Sequence, residues 1–345
     1  MTARSVLGQG QIAIAGTLAV LASIFGGSGA AADVFGGKQI RIVSTGGASG
    51  GYALYANLAA QHLGRFIPGN PTILVTQMPG AAGLNATNYL YEAAPRDGTV
   101  IALMSHDLAS QQALGIKGVR FDAIQFNYIG RATTNVPAHM VWHTAPAQSI
   151  DDLRNREVVT AAVGAGGTHN DLPRAQNALL GTRWKIVSGY RSNQDTRIAM
   201  ERGEVQAAVT AATLFNEQIR PWLEQGKVKV VVQYADFRHP MLSDIPTIVE
   251  LAESPEARDV FKFLVSLSTV GRSYAAPPGV PSETVAILRK AFQAMVNDPA
   301  FRADAEKRGA DIFPMSGEEL AAYIRGIVAT PPGIIRKTND VIGAK

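Results

Sequence analysis

The sequence contains no cysteine. That excludes disulfides and a lipid-modified N-terminal cysteine. It has no run of five or more lysines and arginines, and no basic stretch interleaved with aromatics, although the formal net charge is +4. A nucleic-acid partner needs such a patch, so none is expected. Beyond the N-terminus no segment approaches a continuous membrane-spanning run. The usual nucleotide signatures are also missing. Gly46 and Gly51 have the spacing of a phosphate-binding loop, but Tyr52 and Ala53 stand where its lysine and hydroxyl residue belong. No G-x-G-x-x-G triplet can be built there, which argues against a dehydrogenase. Ser105, His106 and Asp107 are adjacent, so they cannot converge into a nucleophile–base–orienter relay. No cofactor and no metal site is expected. Zinc would need a third ligand beside His106 and His169, and only Asp107 and Asp171 lie near them in sequence.

The N-terminus carries a clear signal. Arg4 is the only charged residue before Asp33, and an apolar run from Ile12 to Phe25 leads into GGSGAAAD. A basic start, a short apolar core and small residues at Ala30 and Ala32 describe a secretory signal peptide over residues 1–32, cleaved before Asp33. The exported chain is expected to be freely soluble.

The 345 residues are enough for two domains, and 46% hydrophobic with 17% charged residues reads as globular rather than disordered. Strand-like and helix-like segments alternate from Gln39 onward: QIRIVST, then a helical pattern over Tyr52–Arg65, TILVTQM, a helix at Leu84–Ala93, and VIALMS. The pattern restarts after about residue 140, with strands at Val158–Val163 and Trp184–Tyr190. Leu267–Ala276 reads as extended. Three amphipathic helices come after it, at Ser282–Asn297, Pro299–Arg308 and Ser316–Val328, and are expected to pack back on the first sheet. Alternation of this kind predicts mostly parallel sheets with helices on both faces. Trp142, Trp184 and Trp222 read as core residues.

The informative features are the loops at the strand ends. Thr45-Gly46-Gly47-Ala48-Ser49-Gly50-Gly51 lies between a strand and a helix, and Gly164-Ala165-Gly166-Gly167-Thr168-His169 repeats the arrangement in the second half. Gly189-Tyr190-Arg191-Ser192-Asn193 does so again. Glycine-rich loops expose backbone N–H groups, and a helix start adds partial positive charge, so an anion can be held without lysine or arginine. Glycines also simply permit tight turns. Among anions a carboxylate fits best, because it needs a few N–H or O–H donors and no metal.

At these residues the sequence resembles the tripartite tricarboxylate transporter receptor family, the Bordetella uptake gene-type solute receptors. The resemblance runs through "IRIVSTGGASGGY", "NPTILVTQMPGAAGLNATNYLYEAAPRDGTVIAL", "SGYRSNQDTRIAMERGEVQAAV" and "YAAPPGVPSETVAILRKAFQAMVNDPAF", and covers nearly all of the chain after the leader. It implies an α/β, two-lobed periplasmic binding protein of the Venus-flytrap type 2 class with two interlobe crossovers. The lobes are expected at residues 33–139 with 268–345, and 140–267. It implies capture of a small organic carboxylate in the interlobe cleft, delivery to the membrane permease subunits of the same system, a monomer, and no enzymatic reaction. A sensing subunit of a signalling system and an exported hydrolase are the alternatives.

Carried onto this chain, the ligand-binding loops are those holding Thr45, Gly46, Gly47, Ser49, Gly51 and Tyr52; Gly80 and Ala81; Ser105 and His106; Gly166, Gly167, Thr168 and His169; and Gly189, Tyr190 and Asp195. His106 and His169 are candidates to hydrogen-bond the ligand and tune binding with pH, against the plainer reading of surface loop histidines. Tyr52 and Tyr190 could stack on it or serve lobe packing. Asp195, near a helix start, is expected to brace a loop. The sequence departs from the family at Ala53, where many relatives carry an aspartate that can meet a ligand ammonium; an amino-acid ligand is therefore disfavoured.

Overall fold

The computed structural model describes residues 34–163, 167–211 and 219–343. The leader over residues 1–32 and Gly166 lie outside the described residues. In chain order the first strands are β1 (Gln39–Ser44), β2 (Thr72–Gln77), β3 (Val100–Leu103) and β4 (Asn127–Arg131), interleaved with helices α1 (Gly50–His62), α2 (Leu84–Glu92) and α3 (Leu108–Ala113). Next come β5 (Pro137–Trp142), β6 (Val158–Val163), β7 (Trp184–Tyr190), β8 (Ala207–Ala211) and β9 (Val228–Gln233), with α4 (Ile150–Asn155), α5 (Thr168–Leu180), α6 (Asn193–Glu201) and α7 (Ile219–Glu224). Helix α8 (Pro255–Val270) leads to β10 (Ser273–Ala276), α9 (Ser282–Asn297), α10 (Pro299–Lys307), β11 (Met315–Ser316), α11 (Gly317–Val328) and α12 (Pro332–Ile342).

The strands form two separate sheets, one in the order β11-β4-β10-β3-β1-β2 and the other in the order β7-β6-β8-β5-β9. This is the two-lobed flytrap architecture, α/β with two sheets. The sheets are more mixed than strict alternation predicts. β1 is parallel to β2 and β3, but β10 runs antiparallel to both β3 and β4. In the other sheet β5 is antiparallel to β8 and β9. The reason is topological: β5 and β10 are the strands by which the chain enters one sheet after leaving the other, and neither comes after a local right-handed βαβ crossover.

β1 illustrates why its residues suit a central strand. Ile40 and Ile42 point into one core and Val43 into the core on the opposite face, and all three are buried. A strand covered on both faces needs apolar side chains in both directions. Helix α9 buries Val285, Leu288, Ala291, Phe292, Met295 and Val296, the i, i+3, i+4 stripe of a helix lying on a sheet. Phe292 fits because position 130 in β4 is glycine; a Cβ there would lie 2.5 Å from its ring carbons. The last helix, α12, lies against α5 and α8.

The two passages between the sheets, Ala132–Val136 and Gly271–Arg272, run against each other. Ala132 N–H donates to the Arg272 carbonyl (2.9 Å), Arg272 N–H to the Thr133 carbonyl (2.8 Å) and Asn135 N–H to the Ser268 carbonyl (2.9 Å). Gly271 has φ 52°, and any Cβ on it would collide with the Thr133 carbonyl oxygen. Helix α8 touches both units, with Phe261 and Val265 in one core and Phe263 and Val270 in another.

The stretch expected to be extended from Leu267 is helical through Val270. Its β-favouring hydroxyl residues are held in the helix by tertiary bonds. Ser268 Oγ donates to the Tyr234 carbonyl (2.7 Å), and Thr269 Oγ1 donates to Asp236 (2.8 Å). Tertiary context has overridden local propensity.

The second unit is pinned by a buried polar chain. His139 is 2.8 Å from both Tyr234 Oη and Thr160 Oγ1, Gln176 donates to Tyr234 Oη, and Trp184 Nε1 donates to Gln176. The His139 ring stacks on Trp184 at 3.8 Å. Burial holds the imidazole at a pKa of about 3, helped by the nearby His169, so it is neutral. Unfolded, it would take up a proton near its ordinary value of about 6.5. Stability from this group is therefore complete above about pH 6.5 and is lost as the pH falls toward 3, at roughly 1.4 kcal/mol per pH unit. Chemical denaturation at pH 7 and pH 5 should show wild type losing on the order of 2 kcal/mol more than His139→Gln over that interval. Parallel pH profiles for the two proteins would refute the assignment.

Candidate functional site

β1 sits between β2 and β3, so the first connection leads to one side of it and the next crosses to the other. In an open α/β sheet that switch point is where a crevice forms beyond the strand ends. Three loops meet there. The first, Thr45–Ser49, joins β1 to α1. Ser49 occupies the N-cap of α1 but makes no side-chain capping bond. The first-turn N–H groups of a thirteen-residue helix are thus left without a capping side chain. Thr45 is 7% exposed, and its Oγ1 is buried with no hydrogen-bond partner. A Cβ on Gly46 would lie 2.5 Å from the Tyr52 Cβ, whereas nothing lies within 4 Å of one on Gly47. Gly46 is therefore required by packing and Gly47 is open.

The second loop comes after β2. Gly80, Ala81, Ala82 and Gly83 all have positive φ, at 119°, 47°, 50° and 87°. Two consecutive alanines in the left-handed region cost on the order of 1–3 kcal/mol each. The turn is held by its neighbours: the Ala82 carbonyl accepts from Ser105 Oγ (3.3 Å) and from Gln111 Nε2 (3.0 Å). A Cβ on Gly83 would lie 2.6 Å from that of Ser105 and 3.6 Å from that of Thr45, so the three loops are in contact.

The third loop, after β3, carries His106. Its backbone N–H donates to Tyr52 Oη (3.1 Å), which directs the tyrosine proton to Nδ1 at 2.7 Å. Arg272 Nη1 also lies 3.4 Å from Nδ1. Nδ1 is therefore the acceptor and Nε2, 3.2 Å from Asp107, carries the proton. Burial lowers the imidazole pKa and Arg272 lowers it further, against the pull of Asp107. His106 is neutral, with both nitrogens engaged inside its own wall. Burial likewise raises the Tyr52 hydroxyl, so it stays protonated. The rings of Tyr52 and His106 lie within 8° of parallel.

Arg272 is the residue that the sequence reading missed. Its guanidinium lies over the Tyr52 ring at 4.4 Å, beside Gly51 of α1. It reaches Asn135 Oδ1 at 3.4 Å. No local motif marks it, since only the pairing of the two passages brings it to the first loop. Ala53, by contrast, is 4% exposed within α1. The charge beside this helix start comes from Arg272 rather than from position 53.

The second set of candidates lies at the carboxyl ends of the parallel strands β6 and β7. Gly167 is the N-cap of α5 with φ 80°, and Thr168 and His169 open the helix. His169 Nε2 is buried without a hydrogen-bond partner, the ring lies beside Asn193 and the Val209 backbone, and burial lowers its pKa. Gly189, with φ 111°, precedes Tyr190 at a register shift in β7. Ser192 caps α6 by accepting the Asp195 N–H at 3.2 Å, so Asp195 sits in the first turn of a capped helix. Among the described residues no hydrogen bond or ion pair joins this set to the first. Nor, among the described residues, do three His, Cys, Asp or Glu side chains cluster to hold a metal, and no helix is long and apolar enough to cross a membrane.

Residues 59–340 match the sequence pattern of the tripartite tricarboxylate transporter family receptor. The chain belongs to this family. A UPF0065 protein in the gbd 5' region of Cupriavidus necator is 22% identical to this receptor over 318 residues, covering 89% of this chain and 90% of the relative. The crystal structure of a TctC solute-binding protein from Polaromonas superposes with a TM-score of 0.67 at 19% identity, covering 87% of this chain and 98% of that one. R. palustris Rpa4515, solved with adipate, superposes with a TM-score of 0.60 at 19% identity, covering 88% and 97%. These likenesses establish the two-lobed fold of the receptor.

The Tyr52–His106 clasp makes a direct prediction. Tyr52→Phe keeps the ring but removes the hydroxyl that serves both His106 N–H and Nδ1. It should cost about 1–2 kcal/mol in urea unfolding, because a partly buried donor and acceptor lose their partner. An unchanged midpoint would mean that the clasp is not formed.

Proposed function

We propose that this chain is a periplasmic receptor that captures a small organic carboxylate in the cleft between its lobes and delivers it to the membrane permease of the same transport system. The observation that carries the reading is the uncapped N-terminus of α1 beside the buried, unpartnered Thr45 hydroxyl. Backbone N–H donors, a hydroxyl and a helix dipole suit a carboxylate, and they need neither metal nor cofactor. The starts of α5 and α6 lie at the ends of β6 and β7, and in this reading they form the opposing face. The adipate held by Rpa4515 supports the same ligand class.

In this reading residues 1–32 direct export, and the mature chain works as a monomer without catalysing a reaction. The first lobe is built on residues 33–136 with 271–331, and the second on residues 137–270 with α12 packed against it. The two passages that pair at Thr133 and Gly271 serve as the hinge, and β5, from Pro137, already belongs to the second sheet. Ligand contacts made on both walls only when they approach would shift the population toward a closed form.

A thermal-shift screen of the chain from Asp33 against a carboxylate library tests this. A ligand at about 100 times its Kd adds roughly 2.7 kcal/mol, which for a protein of this size raises Tm on the order of 5 °C. Gly47→Leu should keep the wild-type Tm, because its side chain enters open space, and should lose the ligand-dependent rise. A variant that shifts like wild type would remove the first loop from the site. No shift with any carboxylate would overturn the ligand class.

A further inference from the structure

We propose that Arg272 is the charge-selecting residue of the cleft: its guanidinium receives a ligand carboxylate beside the N-terminus of α1 and turns away ligands that bring an ammonium group there. The inference rests on the carboxylate-receptor reading above and narrows it to acids without an amino group next to the carboxylate that is held.

The backbone of Arg272 is fixed on both sides by the bonds to Ala132 and Thr133, so the side chain starts from the hinge and is set against the first wall. The guanidinium has five N–H donors. Its hydrogen bonds are two long ones, 3.4 Å each, to His106 Nδ1 and Asn135 Oδ1, and its flat face is taken by Tyr52. Among the described residues no carboxylate lies within 4.0 Å of it. Asp107, beyond the imidazole, faces His106 Nε2 instead.

Arg131 shows how the same fold treats an arginine that is purely structural. It is 2% exposed, donates to the Thr269 carbonyl at 2.7 Å and to the Phe313 carbonyl through two nitrogens, and has its face on Phe313. Arg272 is half-buried, yet lacks both a set of carbonyl acceptors and a counter-ion. A partly desolvated cation in that condition is stabilised by an anion that fills its vacant donors.

A second observation points to the same place. Thr45 Oγ1, more than nine-tenths buried, has no partner, and it belongs to the loop that leads into the uncapped start of α1, where Gly51 lies against the Arg272 guanidinium. One planar group accepting from a guanidinium, a hydroxyl and backbone N–H donors is a carboxylate. An α-ammonium on the neighbouring carbon would stand within a few ångströms of the guanidinium. The groups facing Arg272, namely Tyr52, His106, Asn135 and the backbone of α1, offer no negative charge to offset it.

The test is isothermal titration of wild type, Arg272→Gln and Arg272→Lys with succinate, glutarate and adipate, and with their amino counterparts aspartate, glutamate and 2-aminoadipate. Wild type should bind at least one diacid and prefer it to its amino form by about 30-fold or more. Arg272→Gln should weaken the diacid roughly 10- to 100-fold and narrow that preference to within about threefold. Arg272→Lys should fall between. A merely structural role would weaken both ligands together and leave the ratio unchanged. If wild type binds a diacid and Arg272→Gln binds it equally well, the assignment of Arg272 fails alone. If wild type binds none of these diacids, the proposal that Arg272 selects diacids fails; if the carboxylate library also gives no shift, the carboxylate reading fails with it. Should Arg272→Gln fold poorly, protection of Arg272 from phenylglyoxal in wild type decides: a bound diacid should slow its modification about tenfold or more, and an unchanged rate refutes the contact.

Discussion

The cleft depends on one close approach. Gly271 runs so near the Thr133 carbonyl that no side chain fits between them. Because the position is glycine at φ 52°, the passages can pair backbone to backbone through Ala132, Thr133 and Arg272. That pairing ties the two sheets together, alongside the contacts of Tyr323 with Asp236 and of His239 with Asp311. It also determines the neighbours of Arg272: with amide and carbonyl both bonded across the paired passages, its side chain meets Tyr52 and Gly51 instead of lying in the core of either unit. Looser pairing there would also displace the cation.

Around the paired passages, the first wall sorts its polar groups into those engaged by the protein and those left open. Ser105 and Gln111 hold the Ala82 carbonyl and so stabilise a turn with two left-handed alanines. Strain of that kind persists only where the surroundings over-determine it. Tyr52 and Asp107 occupy both nitrogens of His106. Ser105, His106 and Tyr52 are therefore framing groups in this state. Thr45 Oγ1, the first turn of α1 and the guanidinium of Arg272 remain with donors to give.

Much of this was legible from the chain. Strand, glycine-rich loop and helix are contiguous in sequence, so β1 with Thr45–Gly51 carries its signal within a dozen residues, whereas α5 begins at Thr168, inside the stretch that reads as loop. Helix α9 was readable to its ends because its apolar stripe and its flanking Pro281 and Asp298 are local. The antiparallel placement of β10, the helical reach of α8 to Val270 and the approach of Arg272 to Tyr52 depend on partners distant in sequence. The chain around Arg272 reads V-G-R-S-Y, which is the same whether the arginine faces solvent, core or cleft. Ala53 shows the converse: a position singled out by resemblance is buried in its helix, while charge reaches the neighbouring loop from a distant segment.

The two arginines near the paired passages show why a neutral histidine belongs beside the first loop. Arg131 needs no partner from outside, because three of its nitrogens find main-chain carbonyls. Arg272 has an imidazole where a further acceptor would be, and the imidazole accepts only while Nδ1 is unprotonated. A charged His106 would place a second cation against the guanidinium and disrupt the clasp with Tyr52. Burial keeps it neutral, and Asp107 offsets part of that burial without pairing with the arginine. A carboxylate in place of His106 would neutralise Arg272 internally and leave little attraction for an anion. A fully apolar group would leave the guanidinium edge with one fewer acceptor. The neutral imidazole lies between these extremes, steering the arginine while leaving its charge unpaired.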